Sequence, residues 1–201
     1  MYTEHPYKIA IVGGIGSGKS IVSRLFRIMG VPVYNCDTEA KRLMNSDVVL
    51  RKALVEAIGT QVYGADGNVD RAFLASYMFG NPGRVALVNS IVHPAVRTHF
   101  AAWAAKVGSR IVAVETAILF ESGMDADVDA ILVVHAPEAL RLQRAMKRDG
   151  ASEQAVRNRM SNQMADDDLF SRASFCVCND DTVSLIAQVG QIIEALSRKL
   201  L

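Results

Sequence analysis

Apolar residues along this chain follow two alternating patterns. Short, β-branched runs at residues 8–12, 31–34, 111–115, 130–134 and 175–178 read as five strands, and their continuous apolar character suits strands covered on both faces. Between them, apolar positions return every three or four residues, as on one face of a helix. Val22, Leu25, Phe26 and Met29 do so after the first run. Leu185, Ile186, Val189, Ile192, Ile193 and Leu196 do so across a last helix over 182–199. Pro137-Glu138 opens a helix through Arg144 and Arg148 that stops at Asp149-Gly150, and Ser152-Glu153 opens another running through Arg157 and Arg159 to Gln163.

Residues 39–106 carry no strong strand signal. Leu43, Val48, Leu50, Leu54 and Ile58 keep helical spacing with an interruption near Asn45-Ser46, and 64–68 has the chemistry of a loop. A helix over 71–79 is broken by Asn81-Pro82-Gly83 and resumes over 84–91. His93-Pro94 then starts a further helix bearing Val96, Phe100, Trp103 and Val107. The pattern predicts a three-layer α/β fold with a five-stranded, mainly parallel sheet and a helical insertion after the second strand.

One stretch gives this fold a chemistry. Gly13-Gly14-Ile15-Gly16-Ser17-Gly18-Lys19-Ser20 fits G-x-x-x-x-G-K-[ST] between a strand and a helix, the context that makes the pattern a phosphate-binding P-loop and the fold a P-loop NTPase fold. Glycines let backbone N–H groups surround a phosphate, and the helix start presents its positive end to the same anion. The expected ligand is a nucleoside triphosphate, cradled by Gly14, Ile15, Gly16, Ser17, Gly18, Lys19, Ser20 and Ile21. Lys19 would reach its outer phosphates and Ser20 would hold Mg²⁺. The plainer alternative is a glycine-rich turn with an exposed lysine.

Charge narrows the partners. A net charge of +1 leaves no electrostatic footprint for nucleic acid or an anionic membrane. The polar start, Met1 to Pro6, and the lack of ~18 consecutive apolar residues predict a cytoplasmic protein without a membrane span. Cys36, Cys176 and Cys178 are too few for a disulfide framework. The last two share a strand with no ligand set around them, which predicts buried small hydrophobes.

Two further clusters bear on catalysis. Asp37 follows the second strand, where α/β folds bind ligands, although a helix N-cap is the structural alternative. Arg144 and Arg148 stand one turn apart among Arg141, Lys147, Arg157 and Arg159. They could close over a triphosphate or simply form a solvated basic face.

Taken in order, the P-loop, Asp37, Asp70-Arg71 with Leu74, His93-Pro94, Ile118-Leu119-Phe120-Glu121, Arg144, Arg148, Gln163 and Asn179 resemble the dephospho-CoA kinase family. The resemblance implies transfer of the ATP γ-phosphoryl group to the ribose 3'-hydroxyl of dephospho-CoA, giving coenzyme A. It implies a nucleotide-binding core of residues 1–38, 107–136 and 170–201, an acceptor-binding insertion of 39–106 and a lid of 137–169. It further implies that Asp37 is the base, that Arg144 and Arg148 act from the lid, and that Asn179 lies near the adenine. Arg71 and His93 are candidates for acceptor contacts, and a monomer or weak oligomer is expected. The chain departs from the family pattern at Val12, Ile21, Asn35, Ala117 and Arg141, where Thr, Thr, Asp, Pro and Gln are usual. Another small-molecule or nucleotide kinase and a catalytically weak nucleotide switch are the competing readings.

Overall fold

A computed structural model describes residues 5–200. Five strands, β1 (Tyr7–Val12), β2 (Val33–Asn35), β3 (Ile111–Glu115), β4 (Ala130–His135) and β5 (Phe175–Cys178), form one sheet in the order β2-β3-β1-β4-β5. The pairs β1–β3, β1–β4 and β4–β5 are parallel. β3 is buried at every position and β1 from Ile9 to Val12, which is why both read as unbroken apolar runs.

Helix α1 (Lys19–Ile28) buries Val22 and Phe26 in the core that Ile9, Ile11, Leu132 and Val134 contribute from the sheet. It ends in a Schellman turn: Gly30, at φ 86°, donates to Arg27 O and Val31 donates to Phe26 O.

The chain divides into two compact units, one running to Tyr34 and resuming at Ala104, the other Asn35–Trp103. The second holds α2 (Cys36–Ser46), α3 (Val48–Ile58), α4 (Arg71–Met78) and all but the last turn of α5 (Pro82–Lys106). A single antiparallel bridge, Tyr63 to Val69, closes the loop between α3 and α4. In the first unit follow α6 (Glu138–Asp149), α7 (Glu153–Met160), α8 (Asp166–Ser171) and α9 (Leu185–Lys199). Leu142, Ala145 and Val156 join α6 to α7 in a small core of their own, and α9 packs on α1.

Several expectations change. Helix α2 starts at Cys36, so its N-cap is Asn35, whose Oδ1 accepts the Thr38 N–H at 2.8 Å; Asp37 instead lies inside the first turn, next to the positive end of the helix dipole. Residues 82–106 form one helix with Pro94 inside it, where a break was expected. Val88, Val92, Val96, Phe100 and Ala104 are buried at strict four-residue spacing on both sides of Pro94, and that continuous face outweighs the missing N–H.

Helix α7 stops at Met160, leaving Gln163 in a connection. The unforeseen α8 opens on Asp166, Asp167 and Asp168, acids that complement a helix N-terminus. Helix α9 starts at Leu185, three residues later than expected, because Ser184 caps it by accepting the Ala187 N–H. Cys176 is exposed and Cys178 half-buried, contrary to expectation, since β5 is an edge strand; Cys36 is buried.

If burial alone carries α5 through its proline, Pro94→Ala should raise stability by about 1–3 kcal/mol in urea unfolding, since an interior proline costs a helix about 3 kcal/mol. A loss of stability would show that the proline is needed for packing.

Candidate active site

The loop joining β1 to α1 is held by contacts from three later segments. Its own backbone makes a tight turn, with Ser17 N–H donating to Gly14 O at 3.1 Å and Ile21 N–H to Gly18 O at 2.9 Å. Lys19 Nζ folds back to donate to Gly13 O at 2.7 Å and Gly14 O at 3.2 Å, so the ammonium lies along the loop. Ser20 and Ile21 are exposed in the first turn of α1.

Asn179, just beyond β5, is 5% exposed, and its Nδ2 donates to Ser17 O at 2.7 Å. Gly18 sits at φ 99°, and a Cβ there would come within 2.1 Å of that nitrogen, so both backbone angle and space demand glycine. Gln163 Oε1 accepts the Ile15 N–H at 2.7 Å. Arg141 on α6 is buried beside Gly14 and donates to Asp166 Oδ2 at 2.8 Å.

The two expected arginines have different surroundings. Arg144 donates from Nη1 to Asn179 O at 2.8 Å and from Nη2 to Asp181 Oδ2 at 2.9 Å, which ties it to the loop through Asn179. Asp181 has a left-handed φ of 68°. Arg148 donates from Nε and Nη2 to the adjacent Asp149, and Arg159 pairs with the same carboxylate at 2.9 Å. Hydrogen bonding from these guanidiniums lowers the Asp149 pKa to about 2, so the tie persists at neutral pH and is lost as acid protonates the carboxylate.

Glu115, at the end of β3, is 7% exposed, and the Thr116 hydroxyl beside it accepts the Ile118 N–H at 3.1 Å. Leu119 is buried while Glu121 is exposed. A recess beside the loop is lined by Gly13, Gly14, Phe120, Glu121 and Gln163, and a larger pocket of about 610 Å³ by Gly14, Arg141, Arg157, Gln163 and Asp166.

The remaining candidates lie in the second unit. Asp37 is exposed on α2. Arg71 is exposed at the start of α4, where Asp70 Oδ1 caps the helix by accepting the Phe73 N–H. His93 is half-buried midway along α5. Nearby in the chain, Arg42 bonds Glu39 and meets His99 Nε2 at 2.8 Å.

Sequence reasoning overlooked the grip of Gln163 and of the Arg141–Asp166 pair on the loop, together with the Arg144–Asp181 contact. Gln163 and Arg141 carried a faint signal, as a family-like residue and a member of the basic cluster; Asp166 and Asp181 carried none. Among the described residues no group of three or more His, Cys, Asp or Glu is arranged to hold a metal, and no helix is long and apolar enough to cross a membrane.

A lysine-bearing glycine loop joining the central strand of such a sheet to a helix defines a protein of the P-loop NTPase fold. A family model described as CoaE, dephospho-CoA kinase, matches residues 7–184. Curated dephospho-CoA kinases of Bacteroides fragilis and Porphyromonas gingivalis are 43% and 41% identical, over 96% and 95% of this chain and 94% and 95% of theirs. This chain belongs to the dephospho-CoA kinase family. Among solved structures, a Thermus thermophilus protein superposes with a TM-score of 0.79 at 33% identity, covering 98% of this chain and 99% of its own. An Acinetobacter baumannii shikimate kinase shares the fold alone, at TM-score 0.56 and 16% identity, covering 98% and 97%.

Asn179→Asp should destabilise the protein more than Asn179→Ala. The aspartate sets an acceptor against the Ser17 carbonyl, whereas alanine leaves that carbonyl unpaired at a cost of about 1–3 kcal/mol. Denaturant midpoints of the two variants and the unaltered protein check this; midpoints equal to that of the unaltered protein would mean that the Asn179–Ser17 bond contributes nothing.

Proposed function

We propose that the protein transfers the γ-phosphoryl group of ATP to the ribose 3'-hydroxyl of dephospho-CoA, releasing ADP and coenzyme A. The observation that carries this reading is the family match across 7–184, with the P-loop lysine and serine in place. In this reading residues 39–106 form the acceptor-binding insertion and 137–169 the lid.

Phosphoryl transfer asks the protein for position and charge rather than covalent chemistry. Lys19, whose ammonium lies along the loop at the Gly13 and Gly14 carbonyls, reaches oxygens of the β- and γ-phosphates. Asp37 accepts the proton of the 3'-hydroxyl as that oxygen forms its bond to phosphorus and the bond to the ADP oxygen breaks. Arg144 and Arg148 offset charge on the transferring group, Asn179 lies by the adenine, and Arg71 and His93 contact the acceptor.

The donor set suits Mg²⁺: the exposed Ser20 hydroxyl is a hard oxygen ligand, the Glu115 carboxylate would order the ion's waters, and magnesium takes few protein ligands when phosphates supply the rest. When bound, the ion neutralises phosphate charge. The Asn35 departure has a structural account, because Asn caps α2 as Asp would. A cytoplasmic location and a monomer or weak oligomer complete the proposal.

ADP release from Mg²⁺-ATP with dephospho-CoA, adenosine, AMP or no acceptor tests it. Turnover is expected with dephospho-CoA alone, and turnover restricted to another acceptor would overturn the reading. Asp37→Asn should lower turnover by about 10²-fold or more while ATP affinity is kept, from the usual size of general-base effects. Turnover like that of the unaltered protein would remove Asp37 from the role.

A further inference from the structure

Arg141 is a buried cation that the proposed mechanism leaves without a task. It sits in the first turn of α6, and its side chain is 9% exposed. Nη2 donates to Asp166 at the start of α8, and His135 Nδ1, from the end of β4, approaches the same carboxylate at 4.0 Å. Arg141 Nε is buried with no hydrogen-bond partner among the described residues. Since buried polar groups are nearly always paired, hydrogen bonding alone does not account for a guanidinium here.

What it does touch is the P-loop. The three atoms nearest to a Cβ built on Gly14 all belong to Arg141, with Nη1 at 1.9 Å. A Cβ on Gly16 would meet the Arg141 carbonyl oxygen at 2.2 Å. Gly16 has a φ of 79° and would favour glycine in any case, but Gly14 has no left-handed φ. Its backbone would accept alanine; the guanidinium refuses it. The end of an arginine side chain can ordinarily swing aside, and here the Asp166 ion pair restrains it.

We propose that Arg141, pinned by Asp166, is a positioning residue for ATP, fixing the path of the loop at Gly14 to Gly16 without touching the reacting atoms. The inference rests on the nucleotide-binding part of the proposed function and is independent of which acceptor is used. Arg141 acts through the loop's backbone, so its removal weakens ground-state and transition-state binding alike and moves KM for ATP rather than kcat.

The test compares the unaltered protein with Gly14→Ala, Arg141→Gln, Asp166→Asn and the Gly14→Ala/Arg141→Gln and Gly14→Ala/Asp166→Asn double variants. ATP Kd is measured by displacement of a fluorescent nucleotide without acceptor, beside KM, kcat and Tm. With Arg141 present, Gly14→Ala should raise ATP Kd about tenfold; with Gln at 141 the same change should cost less than about twofold, the non-additivity expected of residues in contact. Arg141→Gln and Asp166→Asn should each raise ATP KM about three- to tenfold with kcat at saturating ATP within about twofold.

An equal Gly14→Ala penalty in both backgrounds would overturn the proposal, as would a lowered Tm in Arg141→Gln and Asp166→Asn with ATP Kd unchanged. Should Arg141→Gln not fold, the Asp166→Asn result decides, since releasing the pin must then weaken ATP binding and relieve Gly14→Ala. If dephospho-CoA proves to be the wrong acceptor, the Kd pattern still stands or falls by itself.

Discussion

Everything in the first unit depends on how a short run of nearly bare backbone is held between β1 and α1. A loop that binds phosphate through its amides has almost no side chains with which to fix its own shape. The stiffness comes from outside. Asn179 takes the Ser17 carbonyl, Gln163 takes the Ile15 amide, and Arg141 closes the space over Gly14. These holders come from α6, the connection after α7 and the end of β5, so the loop is complete only when the later half of the chain has folded onto the sheet. The parallel sheet makes that possible by bringing the ends of β1, β4 and β5 together.

The same arrangement distributes charge. The arginines tied to the loop or lining the pocket beside it are met by carboxylates or a carbonyl: Arg141 by Asp166, Arg144 by Asp181 and Asn179, and Arg157 by Glu138. Lys19 is met by two loop carbonyls. Contacts of this kind hold cationic side chains in defined positions, which lowers the cost of ordering them.

The strands, the P-loop and the α1 stop were legible because each follows a local rule. Buried parallel strands are apolar throughout, phosphate loops need glycine and lysine in fixed positions, and a left-handed turn needs Gly30. What escaped was decided by tertiary contact. Pro94 looked like a helix boundary until the buried stripe from Val88 to Ala104 was seen to cross it. The N-cap alternative for Asp37 fell to Asn35, two residues earlier, which spacing alone does not tell apart from it. The cysteines of β5 looked buried because no local signal reveals which strand ends up at an edge. Gln163 lies 148 residues from the amide it holds, a separation at which no periodicity speaks. Family resemblance reached the function through ordered motifs spread along the chain, where the P-loop by itself would have stopped at nucleotide binding.

In the proposed reaction this loop serves phosphorylation of one particular hydroxyl. The most direct measurement is the site of the new phosphate, read by phosphorus–proton correlation NMR on the product made from Mg²⁺-ATP and dephospho-CoA. A phosphomonoester coupled to the ribose 3' proton is expected, with the pyrophosphate bridge unchanged. A phosphate on the 2'-oxygen or the pantetheine hydroxyl, or ADP formed with no phosphorylated acceptor, would contradict it.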